Sequence, residues 1–201
     1  VIRHDMQGFL DRLFIAAGAK PESIIAPKGA FTIPTAYAAY CDKISLELSR
    51  RMPDLAPLVS SHLEALKTRS AALCLEFKDS AAPLAGTHVV AALFQADLLA
   101  WLGLQVVATF PPAEDPSPAI FQRAIKSGRD GAAMLLVGNL QNGTRLPEAL
   151  ANALGVPCVM LSNFPAEAGL GAQERLMRHN LDLLLAWKRA SATASPTIGA
   201  K

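Results

Sequence analysis

The side chains that most often carry out chemistry are few in this chain and far apart. The cysteines show no CxxC or CxH spacing, which removes the common patterns for a zinc site. We interpret them as free buried thiols; the alternative is a disulfide between Cys41 and Cys74, on neighbouring predicted helices, in an oxidising compartment. The histidines and cysteines of the chain are His4, His62, His88, His179, Cys41, Cys74 and Cys158.

Catalytic motifs are also missing. The pair Ser162-Asn163 follows an apolar segment, but no GxSxG turn surrounds the serine, as a nucleophile of that class requires. The segment "AGLGA" at 168–172 lacks the three spaced glycines of a nucleotide-binding fingerprint. Because no acid and base converge on a predicted strand end, the sequence predicts a protein that is not an enzyme.

Bulk composition excludes several other classes. The chain has 201 residues, of which 51% are hydrophobic and 18% are charged, so it can bury a substantial core. Its formal net charge of +2 is small, and its Lys and Arg residues are scattered, which argues against a nucleic-acid partner. No apolar run reaches the length of about 18 residues that a membrane span needs.

The elements that must position any site begin with helices. Pro34 is predicted to start a helix that runs to Arg51, and Pro53 breaks it. A second helix of about 22 residues follows, and would span about 33 Å. That length suits a bridge between two lobes. Residues 78–86 then form a turn-rich joint.

Four strand–helix units follow this joint. Alternating strands and helices favour an α/β fold with a parallel sheet covered by helices on both faces. The predicted strands are Val89–Ala92, Gln105–Thr109, Ala132–Val137 and Pro157–Leu161, and the predicted helices lie near 94–102, 117–127, 144–154 and 172–188.

The order of these segments resembles a known family. The matching segments are "LAGTHVV", "ADLLAWLGLQVVATF", "DPSPAIFQRAIKSGRDGAAMLLV", "RLPEALANALGVPCVML" and "RLMRHNLDLLLAW". Together they resemble the substrate-binding proteins of zinc and manganese ABC transporters, in which a long helix joins two α/β lobes. The resemblance covers about residues 34–190.

The resemblance implies a division of the chain. Residues 1–53 would be the remainder of the N-terminal lobe, 54–77 the linking helix, 78–190 the C-terminal α/β lobe and 191–201 a tail. "VIRHD" at the start resembles the end of a strand, so most of the first lobe, with its first ligand histidine, is expected upstream of Val1.

The ligand positions of the second lobe do not carry metal ligands here. The family's histidine corresponds to Ala92 or Leu93, its glutamate to Gly138 or Asn139, and its aspartate to Ser162 or Asn163. None of these supplies the imidazole or carboxylate that a borderline cation prefers. With Gln95, they are the candidate residues of the ligand cleft, and Gln95, Asn139, Ser162 and Asn163 would hydrogen-bond a neutral or weakly charged ligand.

The expected function is therefore that of a periplasmic or cell-surface solute-binding component of an ABC importer, with the standard metal ligands of its C-terminal lobe replaced. Its partners would be a transporter permease and a small solute or metal ion, with a possible lipid tether outside the chain. Zinc or manganese is expected only if a metal site survives in the missing lobe. The alternative is a ligand-free interaction or scaffold protein on the same fold.

Overall fold

The computed structural model describes residues 12–13, 15–18, 30–112 and 117–194. Its elements follow the predicted alternation of strands and helices. Their bounds are α1 Pro34–Arg51, α2 Ala56–Ser80, β1 His88–Ala92, α3 Ala96–Trp101, β2 Gln105–Phe110, α4 Pro118–Asp130, β3 Leu135–Asn139, α5 Arg145–Leu154, β4 Cys158–Leu161 and α6 Ala172–Ala194.

Helices α1 and α2 form an antiparallel pair. Pro34 occupies the first turn of α1, where its missing N–H costs nothing, and a short 3₁₀ turn at Pro53–Leu55 separates the helices. Lys67 of α2 binds Asp42 of α1 at 2.7 Å, which fixes their register. Helix α2 is 25 residues long, from Ala56 to Ser80, slightly longer than the helix predicted from the sequence.

The four strands form one parallel sheet in the order β2-β1-β3-β4. Alternate residues of β1 face opposite sides: Val89 and Ala91 contact one core cluster, and Val90 and Ala92 contact the other. Helices α2, α3 and α6 cover the first face, and α4 and α5 cover the second. The predicted parallel sheet with helices on both faces is confirmed.

Local signals explain most helix ends. The Ser117 hydroxyl accepts a hydrogen bond from the Ile120 N–H at 3.4 Å and so caps α4, which begins at Pro118. Gly155, with φ of 72°, ends α5 in the left-handed conformation that favours glycine.

The main boundary error concerns β3. The strand was predicted over Ala132–Val137, but it begins at Leu135 and ends at Asn139. Ala132 adopts a φ of 49° and belongs to the turn that closes α4. Pairing with β1 starts only at Met134, whose N–H donates to the His88 carbonyl at 2.9 Å, so Ala132 and Ala133 lie before the strand.

Tertiary ion pairs fasten α2 to the lobe. Arg69 Nε donates to Glu174 Oε1 at 2.7 Å, and Arg178 makes two bonds to Glu76, at 2.9 and 2.8 Å. Both pairs join α2 to α6. The carboxyl-terminal half of α2 is therefore held against the α/β sheet.

Candidate functional site

The carboxyl ends of β1, β3 and β4 lie side by side at one edge of the sheet. Open parallel sheets bind ligands at this edge, because the loops that leave the strands converge there. All seven candidate residues predicted from the sequence lie at the strand ends or within the following turns, namely Ala92, Leu93, Gln95, Gly138, Asn139, Ser162 and Asn163.

At β1, the two alternative positions have different environments. Ala92 is the last residue of the strand and is buried in the cluster under α4 and α5. Leu93 begins the following 3₁₀ turn, and 49% of its surface is exposed. Of the two, only position 93 presents a side chain to the outside of the edge.

At β3, the structure also separates the two alternatives. A Cβ atom added to Gly138 would lie 2.4 Å from Met160 Sδ and 2.9 Å from Pro147 Cβ. Position 138 therefore has no room for a glutamate. Asn139 ends the strand, is buried, and accepts a hydrogen bond at Oδ1 from the Gln141 N–H at 3.3 Å.

A network of neutral side chains joins the three loops. Gln95 Nε2 donates to Asn163 Oδ1 at 3.0 Å. Gln141 Nε2 donates to Ser162 Oγ at 2.7 Å, and Gln141 Oε1 accepts from the Asn163 N–H at 2.8 Å. The loop after β4 is thus bonded to the loops after both β1 and β3.

Ser162 is fully occupied within this network. Its hydroxyl donates to the Phe164 carbonyl at 2.8 Å and accepts from Gln141 Nε2 and from the Phe164 N–H. A hydroxyl has one proton and two lone pairs, so this set uses its whole capacity. Neither of these partners is a base, so the hydrogen bonds seen at Ser162 do not include the one that activates a nucleophile.

The Asn180 side chain of α6 continues the hydrogen-bond pairing of β4 by one residue, to Ser162. Its Oδ1 accepts from the Ser162 N–H at 3.1 Å, and its Nδ2 donates to the Ser162 carbonyl at 2.8 Å. The amide thereby pairs both backbone groups of Ser162, as a neighbouring strand would. Asn180 is 1% exposed, so these bonds are shielded from water.

One acceptor of the network has no partner. Gln95 is completely buried, and its Oε1 lacks a hydrogen-bond partner among the described residues. Burying an amide oxygen without a hydrogen bond is unfavourable. The loop after β1 therefore has an unused acceptor beside the bond to Asn163.

The histidines do not supplement this edge. His88 is the first residue of β1, at the opposite end of the sheet, and its Nδ1 lies 2.6 Å from the Gly131 carbonyl oxygen. His62 and His179 are exposed on α2 and α6. His4 lies outside the described residues. The predicted position of His88 away from the cleft is confirmed.

The donor set at the edge does not fit a zinc or manganese site. Within residues 30–112 and 117–194, no three His, Cys, Asp or Glu side chains are grouped closely enough to hold a metal ion. The edge offers amide and hydroxyl oxygens, whereas a borderline cation prefers imidazole, thiolate or carboxylate ligands.

The three thiols are free and partly buried. Cys74 contacts the backbone of Thr35, whereas Cys41 lies six residues further along α1, about 9 Å at 1.5 Å per residue. That offset exceeds the Cα separation of a disulfide, so these two cysteines are not positioned to pair. Burial raises the pKa of the Cys158 thiol to about 11.

Solved structures share this architecture. The substrate-binding protein FpvC from Pseudomonas aeruginosa, in complex with Ni²⁺, matches with a TM-score of 0.73 at 19% identity, over 97% of this chain and 76% of that one. The chain has the fold of this metal receptor. The fold resemblance expected from the sequence motifs is confirmed.

Two further solved structures share the fold. ZnuA matches with a TM-score of 0.62 at 19% identity, over 89% of this chain and 74% of that one. The laminin-binding protein Lbp of Streptococcus pyogenes matches with a TM-score of 0.67 at 18% identity and covers 80% of this chain. The chain spans 65% of the length of Lbp.

Comparison of the sequence with known families and curated proteins finds no match. No protein-family model matches the chain, and no curated protein matches it. No helix in the described part of the chain is both long and apolar enough to cross a membrane.

Two residues of the edge were not among the sequence candidates. Gln141 is the second residue after β3 and bridges Ser162 and Asn163. Asn180 occupies the apolar face of α6, between the buried residues Met177 and Leu181. A polar residue on a buried helical face is a readable signal, because such a group needs a partner.

Proposed function

We propose that this chain is a substrate-binding component of an ABC importer, located outside the cytoplasm, and that its ligand is a small neutral or weakly charged polar solute. The observation that carries the proposal is the composition of the sheet edge. On a fold shared with the Ni²⁺-bound FpvC, the described polar side chains that form the hydrogen-bond network at this edge are all neutral, namely Gln95, Asn139, Gln141, Ser162 and Asn163.

Neutral amides suit such a solute for a simple reason. Each amide both donates and accepts, so it recognises hydroxyl and amide groups without needing charge on the ligand. The unpartnered Gln95 Oε1 is an acceptor for a ligand N–H or O–H once the loop after β1 shifts. Without carboxylate or imidazole, the same edge gives a divalent cation little to bind.

Capture would proceed through small movements. A helix of 25 residues fastened by two ion pairs to α6 resists a wide hinge motion. Lobe tilts and loop rearrangements are then the available modes. Delivery would be to a transporter permease, with a lipid tether outside the chain as a further expectation. No acid–base pair converges on the edge among the described residues, which supports a binding role rather than an enzymatic one.

A metal cargo remains conditional on other parts of the protein. Zinc or manganese would be carried only if ligands outside the C-terminal lobe hold it. The division into a lobe remainder (1–53), linking helix, C-terminal lobe (78–190) and tail (191–201) is part of this proposal.

One observation favours an interaction or scaffold protein as the second candidate. Large apolar side chains follow three neighbouring strands and are exposed: Leu93 at 49%, Leu140 at 52% and Phe164 at 63%. The hydrogen bonds of Ser162 and Gln141 are already satisfied internally. An edge of this kind would suit a protein surface better than a small polar solute.

The test combines elemental analysis with thermal-shift measurements on the purified chain. Chlorides of Zn²⁺, Mn²⁺ and Ni²⁺ are compared with a panel of neutral sugars, amides and polyols. We expect no stoichiometric metal, and stabilisation by a neutral solute that Gln141→Ala removes and Gln105→Ala retains. Gln105 is a matched control because it is exposed at the other end of the sheet.

The alternative outcomes separate the candidates. One metal ion per purified chain would contradict the replaced-ligand proposal. Failure of every solute to raise the melting temperature would favour the interaction protein. Equal loss of stabilisation in both glutamine variants would show that the ligand does not bind at this edge.

A further inference from the structure

A second concave site lies at the opposite end of the sheet. A cavity of about 460 Å³ opens between α2, the segment before β1, and the end of α3. Gly103 precedes β2 and Ala85 precedes β1, so the cavity is at the amino end of the strands, away from the amide network. Its volume falls within the range of small-molecule sites, about 300–1,000 Å³.

The lining is apolar and partly aromatic. Phe77 and Leu102 are buried in the core beneath the cavity, and Trp101 stands at its rim with 36% of its surface exposed. The Phe77 and Trp101 rings are tilted by 56° with centroids 6.1 Å apart, which makes a stiff aromatic wall. The lining also includes the small residues Ala81, Ala82 and Ala85, whose side chains fill little of the space.

A single charge marks this cavity. Lys78 is exposed and is the only charged side chain in the lining; it has no ion-pair partner among the described residues. Thr35, Cys74 and Trp101 are the other lining side chains with polar atoms. The arrangement combines an apolar body site with one cation at its margin, whereas acidic side chains are absent from the described lining.

We propose that this cavity binds a small aromatic or aliphatic carboxylate, whose apolar body packs against Trp101, Ala82 and Ala85 and whose carboxylate pairs with Lys78. The complementarity of charge and the size of the cavity select this occupant. The site is independent of the amide edge and of the ligand proposed there.

The test uses a matched ligand pair. Naphthalene-2-carboxylate and naphthalene-2-carboxamide have the same apolar body and differ in charge. Binding to the full chain is measured by calorimetry and by the two tryptophan indole N–H signals in ¹H–¹⁵N NMR, assigned with Trp101→Phe. We expect the carboxylate to bind about three- to fivefold more tightly than the amide, the scale of one exposed ion pair. We also expect it to shift the Trp101 signal while leaving Trp187 in place.

Three variants locate the interaction. Lys78→Gln should remove the advantage of the carboxylate and leave amide binding within about twofold, because only the charge pair is lost. Lys43→Gln, at an exposed lysine of α1 outside the cavity, should change neither ligand. Ala82→Phe, at an exposed position of the rim, should weaken both ligands by blocking the space.

Several results would overturn the proposal. Equal affinity for carboxylate and amide would refute a role for Lys78. A shift of the Trp187 signal alone, or binding unchanged by Ala82→Phe, would place the ligand elsewhere. A dimer in size-exclusion chromatography that Ala82→Phe dissociates, together with no carboxylate binding, would show that a second copy of the chain covers the cavity instead.

Discussion

The side-chain amide of Gln95 donates to Asn163 Oδ1 across the end of β3, and this bond joins the loops of two strands that are not neighbours in the sheet. The Gln95 side chain crosses the end of β3, the strand between β1 and β4, and is completely buried. The bond thus fixes the spacing of the two loops that flank the candidate ligand edge.

Removing Gln95 should destabilise the chain in a way that depends on shape. We expect Gln95→Ala to lower the free energy of unfolding by about 2–3 kcal/mol, because it creates a cavity and breaks the bond to Asn163. Gln95→Met should cost less than about 1.5 kcal/mol, since it fills the space and removes the unpartnered Oε1. Urea unfolding measures both, and an equal loss would rule out the packing account.

Substitution of Asn180 should lower the free energy of unfolding more than substitution of its exposed neighbour, His179. Asn180→Ala leaves the buried N–H and carbonyl of Ser162 without partners, so a loss of about 2–4 kcal/mol is expected. His179→Ala, on the exposed side of the same helix, should stay within about 0.5 kcal/mol. Similar effects at both positions would show that the Asn180 bonds do not hold the end of β4.

A metal site can be rebuilt if the proposed correspondence of positions is right. Leu93→His combined with Asn139→Glu and Asn163→Asp would bring an imidazole and two carboxylates to three neighbouring strand ends, a ligand set suited to zinc. We expect this triple variant to retain zinc after dialysis, measured by elemental analysis, while Leu93→His alone does not. A folded triple variant without zinc would contradict the correspondence.

The alternative positions provide the matched control for that experiment. Gly138→Glu should fail to fold, because the new side chain meets Met160 and Pro147 at distances below any normal contact. Soluble, natively folded Gly138→Glu protein, judged by circular dichroism, would show that this part of the edge is looser than the structure indicates.

Cys158 should be chemically unreactive in the folded chain. Burial raises its pKa to about 11, so at pH 8 its thiolate fraction is about a hundredfold below that of a thiol at the ordinary value of 9. We expect slow iodoacetamide labelling that urea accelerates, quantified by peptide mass spectrometry. Rapid labelling of the native chain would contradict this.

The same shift has a defined effect on stability. Because the folded-state pKa is raised, the neutral thiol is favoured by folding, and its contribution is fully present below pH 9. It should be lost as the pH rises from 9 towards 11. Cys158→Ala should flatten this part of the stability profile, whereas an unchanged profile would assign the loss to other groups.

The two ion pairs between α2 and α6 should differ in strength. Glu174 exposes only 15% of its side chain, so Arg69→Met should leave a largely buried carboxylate unpaired and cost about 1–2 kcal/mol. Arg178→Met should cost less than about 1 kcal/mol, because both partners of that pair are nearly half exposed. Thermal unfolding at low and high salt tests the ranking, and the reverse order would refute it.

Periodicity and turn residues predicted most of the fold. Pro34 and Arg51 bound α1 as predicted, and Gly155 ends α5. The start of β3 was misplaced because Ala132 and Ala133 are apolar although they lie between α4 and the strand, and composition does not separate such a connection from a strand. Pairing partners, which define the true strand, are distant in the sequence.

The candidate edge was predictable in position but not in detail. Strand ends placed Gln95, Asn139 and Ser162 correctly at one edge, because parallel strands share their direction. The choice between Ala92 and Leu93 depends on which side chain is exposed, and a one-residue shift inverts that. The bridging role of Gln141 depends on the distance between two loops, which local patterns do not contain.

The ion pairs of Arg69 and Glu76 hold the carboxyl-terminal half of α2 against α6, so a small rotation of that half moves the opposite end of the helix by a larger distance. Its carboxyl-terminal half moves with the lobe, while Ala56 lies 13 residues beyond Arg69, about 20 Å away at 1.5 Å per residue. A tilt of about 5° at the fastened end displaces Ala56 by nearly 2 Å, and α1 travels with it through the Asp42–Lys67 pair. A small rotation at the sheet would therefore displace the connection between α1 and α2 far enough to change its contacts with a docked protein.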